Sequence, residues 1–178
     1  PAQPTTMAHY LAGVATALAR DFGRVRHAYD TTNRSPLGCV AFTTTGFPID
    51  RRRVAELLGF DGLLPNGQDA IGAADHMVEA ATTCLILASH LSRLTRDLLF
   101  WATQEVGAIR IHDSFIQISS IMPQKRNPVV LEHLRARLGA VYGYVQTIVV
   151  QAHNVPYGDT QDIEDEMLAP VVYLFETM

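Results

Sequence analysis

The stretch "AIGAADHMVEAATTCLILASHLSRLTRDLLFW", Ala70 to Trp101, decides the architecture. Ala70, Ala74, Met77, Ala81, Cys84, Ala88, Leu91, Leu94, Leu98 and Trp101 recur every three or four residues, which is the period of one helix face. A run of about thirty residues at ~1.5 Å per residue makes a rod of roughly 50 Å, far longer than the average globular helix. A second apolar stripe through Ile71, Val78 and Leu85 widens the buried face beyond what one partner helix covers. The stretch therefore predicts a bundle of long helices that need several neighbours, including other copies of the chain.

Helical signals continue on either side. Met7, Leu11, Val14, Leu18, Phe22, Val25 and Tyr29 follow the N-cap candidates Thr5 and Thr6, predicting a long helix that ends near Asn33. Val130, Leu134, Leu138, Val141, Val145, Ile148 and Ala152 predict another, with Asn127 as N-cap and Pro128 at the first helical position. The segments "NRSPLGCVAFTTTGFPIDR" and "FDGLLPNGQD", rich in Gly, Pro, Thr and Asn, read as loops. The expected fold class is all-α, a long-helix bundle.

Composition narrows the function. The chain of 178 residues is 48% hydrophobic and 18% charged, which suits one globular unit with a substantial core. A net charge of −4 argues against a nucleic-acid partner, which calls for a clustered basic face. No apolar run approaches the ~20 residues that cross a bilayer, and "PAQPTTMAHY" lacks the charged and apolar regions of a signal peptide, so neither membrane nor export is expected. Cys39 and Cys84 are too few for a disulfide framework, and a reducing, cytoplasmic setting is expected. The chain opens on Pro1 and closes at "PVVYLFETM" inside a helical pattern without a stop signal, as a piece of a longer protein would.

Between the helical patterns stands "FIQISSIMPQKRNPVVLEHLR", Phe115 to Arg135. Lys125 and the loop before it lie at the start of a helix, where amide N–H groups and an ammonium converge on a carboxylate. Ser119 and Ser120 add hydroxyls, and Pro123 stiffens the bend. Composition alone leaves two readings open, an anionic substrate or serines that cap and hydrate a turn.

The ten residues "SSIMPQKRNP" resemble the signature loop of the fumarase/aspartase superfamily. "AQPTTMAHYL", "SPLG", "FPIDRRRVAELLGFDG" and "HLSRLTRDLLFW" are similar to argininosuccinate lyases and delta-crystallins in particular, over nearly the whole chain. The resemblance implies the central helical domain, residues 1–178, of a larger homotetrameric lyase. The N- and C-terminal domains and a threonine-histidine motif would then lie outside it, and no cofactor or metal is implied. The implied reaction is an anti elimination that removes an amine from an N-succinyl substrate and leaves fumarate, passing through an aci-carboxylate that the site must stabilise. Ser119 matches the family's serine base, Lys125 and Asn127 match residues that hold the succinyl carboxylate, and Ser120 is a further carboxylate donor.

Departures from the family pattern stand at several positions, the amine end among them. Ala74 stands at the arginine of the family's Ser-x-Arg-Asp run, with Asp75 retained, and Val129 stands where an aspartate follows the loop. "DTQDIEDEM" aligns without gaps on the family's Tyr-Asn-x-Asp-Leu-Gln-Glu-Asp-Lys, which puts Asp159 for the tyrosine, Glu164 for the glutamine and Met167 for the lysine. Asp159 and Glu164 thereby become substrate-binding candidates. Ile118 replaces the glycine before the serine pair, and Val40 and Thr44 stand where glycines are usual. The run Asp159, Asp162, Glu164, Asp165 and Glu166 has no EF-hand spacing and reads as an acidic helix start. Of the histidines only His112, beside the loop, is a candidate for the chemistry.

Three functions fit. The first is a carbon–nitrogen lyase of the argininosuccinate type, and the second is the same chemistry on another N-substituted aspartate, as in adenylosuccinate or amino-disuccinate lyases. The third is a non-catalytic, crystallin-like structural oligomer, because fold does not settle function.

Overall fold

A computed structural model describes residues 3–159 and 161–178, and the side chains of Gln161, Asp162 and Glu164 are outside the described residues. The chain runs α1 (Met7–Thr32), α2 (Arg51–Leu58), α3 (Gly67–Gly72), α4 (Asp75–Trp101), a 3-10 turn (Asp113–Phe115), β1 (Gln117–Ile118), β2 (Arg126–Asn127), α5 (Val129–Ala152) and α6 (Gln161–Thr177). This is the expected all-α bundle of long helices, with one short antiparallel hairpin, β1–β2, set into it.

Caps explain most of the boundaries. Thr6 Oγ1 accepts from the His9 amide at 3.1 Å and starts α1, which ends before Asn33. Asp50 takes the amides of Arg52 and Arg53, both at 3.0 Å, and Gly59 at φ 80° ends the helix they open. That helix, α2, was not expected, although an Asp and a Gly nine residues apart bracket it in the sequence.

Two expected boundaries are corrected. The long helix begins at Asp75 and not at Ala70, because Ala70 and Ile71 belong to α3 and Ala73 is extended. At the break the buried Gly72 lies against the Tyr157–Gly158 backbone, so close that a Cβ there would meet the Gly158 nitrogen at 3.1 Å. Asn127 does not cap α5. It is held in β2 opposite Gln117, Pro128 takes the N-cap position, and no side chain caps the helix.

α4 is the spine. One face packs Ala81, Cys84 and Ala88 against Leu138, Val141, Val145 and Ile148 of α5, joined by Met167 and Leu174 of α6, while Val78 and Leu85 of the second stripe flank this core. Small residues on α4 let the α5 backbone come close, and the branched residues of α5 fill the space. Met167 is 1% exposed, so the position aligned with the family's lysine is core and faces no substrate. Both cysteines are free and buried.

On its other side α4 holds α1 by polar stitches. Asp21, 1% exposed, accepts from Arg24 at 2.9 Å and pairs with His90 Nδ1 at 2.6 Å. The Tyr10 hydroxyl donates to Asp97, and its ring stands edge-on to Trp101 at 4.8 Å. Burial, then the bond to Asp97, pushes the Tyr10 hydroxyl up to about 12. Large apolar side chains remain uncovered on α1 and α6, with Phe22 74% exposed and Tyr29, Tyr173 and Phe175 more than half exposed.

The loop between α1 and α2 carries strain that the sequence foreshadowed. Val40 (φ 58°) and Thr44 (φ 67°) are the non-glycine residues with left-handed backbone among those described, and both stand where the resembling family uses glycine. A β-branched residue there costs about 1–2 kcal/mol, partly offset by the lower entropy cost of ordering a non-glycine residue. Val40→Gly and Thr44→Gly are each expected to raise unfolding stability by about 0.5–1 kcal/mol, read as a higher denaturation midpoint at unchanged slope.

Candidate active site

The hairpin presents the signature loop. β1 and β2 pair Gln117 with Asn127 and Ile118 with Arg126, so residues 119–125 form the connecting loop. Ile118 is accommodated in extended backbone, and the glycine it replaces is not needed for a left-handed turn here. A turn from Met122 to Lys125, closed by the Lys125 amide on the Met122 carbonyl at 2.9 Å, follows the serine pair and contains Pro123.

Ser119 sits under two backbone amides of the loop. Its Oγ accepts from the amides of Ile121 at 3.2 Å and Met122 at 3.1 Å, and the residue is half-buried. A serine that only capped the turn would make the same bonds. Donors aimed at an oxygen also favour its deprotonated form, because the dipoles are already oriented when the charge arrives. Lys125 and Ser120 are exposed and Asn127 is half-buried on β2. Lys125 is the single lysine of the chain and has no ion pair or hydrogen-bonded side-chain partner among the described residues, so its ammonium is available to an anion.

Flanking residues brace the loop from outside. Arg126 is ion-paired with Asp113, and Arg110 approaches the same carboxylate at 3.6 Å. The hydrogen bond from Arg126 holds the Asp113 carboxyl below the usual carboxylate range. This clamp ties the 3-10 turn to β2 and was missed in the sequence, where an Asp before the loop and an Arg after it were its visible signal. His112 has a structural place: its Nδ1 lies 2.9 Å from Ser114 Oγ and accepts from the Ser114 amide at 3.3 Å, capping the same turn.

The amine-end residues sit elsewhere. Asp159 follows α5, whereas the loop precedes it, and the 24 residues of α5 span roughly 36 Å. The fold therefore groups Ser119, Ser120, Lys125 and Asn127 at one end and places Asp159 at the other. Glu164 lies in α6 near that far end, with its side chain outside the described residues. There a cleft of about 420 Å³ is lined by Ala74, Asp75, His153, Pro156 and Tyr157. Gln68 Nε2 donates to the Tyr157 carbonyl at 3.0 Å and the Tyr157 hydroxyl donates to Asp69, pinning this segment on α3. Ala74 thus shares this end of the molecule with Tyr157, two residues before Asp159, which brings a phenol that sequence reasoning overlooked.

Comparison with known proteins identifies the family. A family model described as "Lyase" matches residues 1–143, and the chain belongs to that lyase family. Argininosuccinate lyase 2 of Agrobacterium fabrum is 46% identical over 166 residues, 93% of this chain and 33% of the relative. The argininosuccinate lyase of Methanosarcina barkeri is 40% identical over 164 residues, 92% of this chain and 33% of the relative. The chain spans about a third of the length of the curated relatives it matches. An EDDS lyase in complex with formate superimposes with a TM-score of 0.87 at 34% identity, over 99% of this chain and 36% of that one. A class II fumarase from Schistosoma mansoni superimposes with a TM-score of 0.76 at 17% identity, over 99% of this chain and 41% of that one, a likeness of fold alone. The bundle is that of the fumarase/aspartase-type lyases.

Proposed function

We propose that these residues are the central helical domain of a carbon–nitrogen lyase that removes an amine from an N-succinyl substrate by anti elimination and releases fumarate. The observation that carries this reading is the hairpin loop, where two amides point at Ser119 Oγ and an unpaired Lys125 ammonium stands a few residues on. Ser119 takes the proton beside the carboxylate, and Lys125, Asn127 and Ser120 hold that carboxylate as its negative charge doubles. An EDDS lyase variant of the same fold has bound fumarate, which supports fumarate as product. The general acid comes from a part of the enzyme outside these residues.

The distance between the two groups of candidate residues supports a site shared between copies. A substrate a few ångströms across cannot touch both ends of α5, and the uncovered apolar faces of α1 and α6 supply the contact surface for a homotetramer. Exposed large apolar patches of this kind also speak against a monomeric working form.

The argininosuccinate reading has the higher identity among the relatives. A different N-substituted aspartate is favoured by the amine-end cleft, where Ala74 contributes no cation. That missing cation, with the acids Asp159 and Glu164 aligned on the family's tyrosine and glutamine, disfavours an amine with its own carboxylate, since unpaired like charges are costly. Given fumarate and a panel of arginine, a diamine and a simple alkylamine, the whole enzyme is expected to favour an amine without a carboxylate over arginine by about tenfold in kcat/KM, the worth of one ~1.4 kcal/mol contact. Arginine winning by a wide margin restores plain argininosuccinate specificity, and no addition to any amine defeats the lyase reading.

A further inference from the structure

A concentration of positive charge lies beside the hairpin, in clefts lined by none of Ser119, Ser120, Lys125 and Asn127. Between the C-terminal half of α4 and the N-terminal half of α5, Arg93, Arg96 and Arg135 line a cleft of about 620 Å³. Arg96, Arg126 and Arg135 line a neighbouring cleft of about 510 Å³. Arg96 and Arg135 line both clefts, which adjoin along one seam, hereafter the groove. In a chain with a net charge of −4, four arginines along one seam reverse the local sign.

The acids nearby do not neutralise them all. Asp97 lines the larger cleft with its charge intact and accepts from the Tyr10 hydroxyl, while Asp113 holds Arg126, so four arginines face three acids counting Glu132. Glu132 lines the groove but has no hydrogen bond or ion pair among the described residues. Arg96 and Arg135 likewise have none. Each guanidinium presents a planar fork of donors that matches a carboxylate or phosphate, and two such forks across a groove select a ligand with more than one anionic group. The space is real: a Cβ at Gly139, on the α5 side, would meet nothing within 4 Å.

We propose that this groove binds a small oligoanion, a molecule with two or more carboxylate or phosphate groups, gripped by Arg96 and Arg135 with Arg93 as a third contact. The ligand is small because the overall negative charge and a pI of about 5.9 oppose a long polyanion beyond the groove. The site adjoins the hairpin through Arg126, whose β2 position pairs with Ile118, the residue before Ser119. It does not depend on the lyase reading, and its test needs no turnover.

The test is calorimetric titration of the whole protein with citrate and, in a separate arm, with pyrophosphate, which tell a polycarboxylate from a polyphosphate preference. Saturable binding of at least one probe is expected, weakened at least about tenfold by Arg96→Gln or by Arg135→Gln, the loss of one charge-assisted contact. Arg20→Gln, exposed on α1, should leave it unchanged, and so should Lys125→Ala, which removes the succinyl contact instead. No saturable binding, equal binding by both groove variants, or loss of binding in Lys125→Ala alone would each overturn the proposal. So would an Arg96→Gln/Arg135→Gln double variant that sediments as a smaller species, because the arginines would then hold a second copy of the chain.

Discussion

Ser119→Ala in the whole enzyme is expected to lower kcat by about 10²–10⁴ while leaving KM for the succinyl substrate nearly unchanged. The proton beside a carboxylate is weakly acidic, and a serine hydroxyl is a weak base, so elimination needs an alkoxide that something stabilises. In the proposed mechanism the Ile121 and Met122 amides, which donate to Ser119 Oγ, supply that stabilisation, and they remain in place when the hydroxyl is removed because they belong to the loop backbone. Alanine therefore deletes the base and spares the carboxylate contacts of Lys125 and Asn127. Lys125→Ala should behave differently, raising KM as well as lowering kcat, because the ammonium meets the carboxylate before and during reaction. Lys125→Arg should not restore full activity, since a planar fork does not replace a compact point charge in a tight loop. Initial rates of fumarate release, followed by its ultraviolet absorbance, decide the matter. If Ser119→Ala retains activity within about tenfold of the parent, the turn-capping reading of the serine stands and the base lies elsewhere.

The long helices were legible because an amphipathic period repeats many times along α1, α4 and α5, so each added turn reinforces the last. The break at Gly72 was not. Ala70 and Ala74 keep the period across it, and what ends α3 is a tertiary contact with Gly158, some eighty residues away in sequence. Asn127 was misplaced for a related reason. An Asn-Pro pair is a good local cap, but pairing with Gln117 outweighs it, and strand pairing depends on a residue that helix signals do not include. The positive φ of Val40 and Thr44 was visible only through resemblance, as two missing glycines, since nothing in the residues themselves calls for left-handed backbone. That Ser119, Lys125 and Asn127 share one loop and its flanking strand was legible from their spacing, whereas their separation from Asp159 was a matter of helix length. Placing Met167 at the amine end failed because an ungapped alignment ignores the helix face, and α6 turns that side chain into the core.

That separation leads to the second large effect. If one site draws its loop from one copy and its amine end from another, two differently disabled chains can restore each other. Asp159→Lys combined with Glu164→Lys reverses the charge at the amine end and is expected to cost about 10² or more in kcat/KM, because like-charge juxtaposition with an amine costs several kcal/mol. Ser119→Ala costs as much at the other end. Neither preparation alone should release fumarate at an appreciable rate. Co-expressed and assembled at random, each site joins an independently drawn loop and amine end, so about a quarter of the sites combine two unaltered halves in a closed symmetric oligomer. Activity should then return to roughly a quarter of the parent value, a gain of more than tenfold over either variant. The recovery should require co-assembly and be absent when the separately folded oligomers are mixed under conditions where subunits do not exchange. Co-expression that yields hybrid oligomers, verified by two affinity tags, without any recovery of rate would place both halves of the site in one copy. The roughly 36 Å of α5 would then have to be bridged by a rearrangement of the bundle.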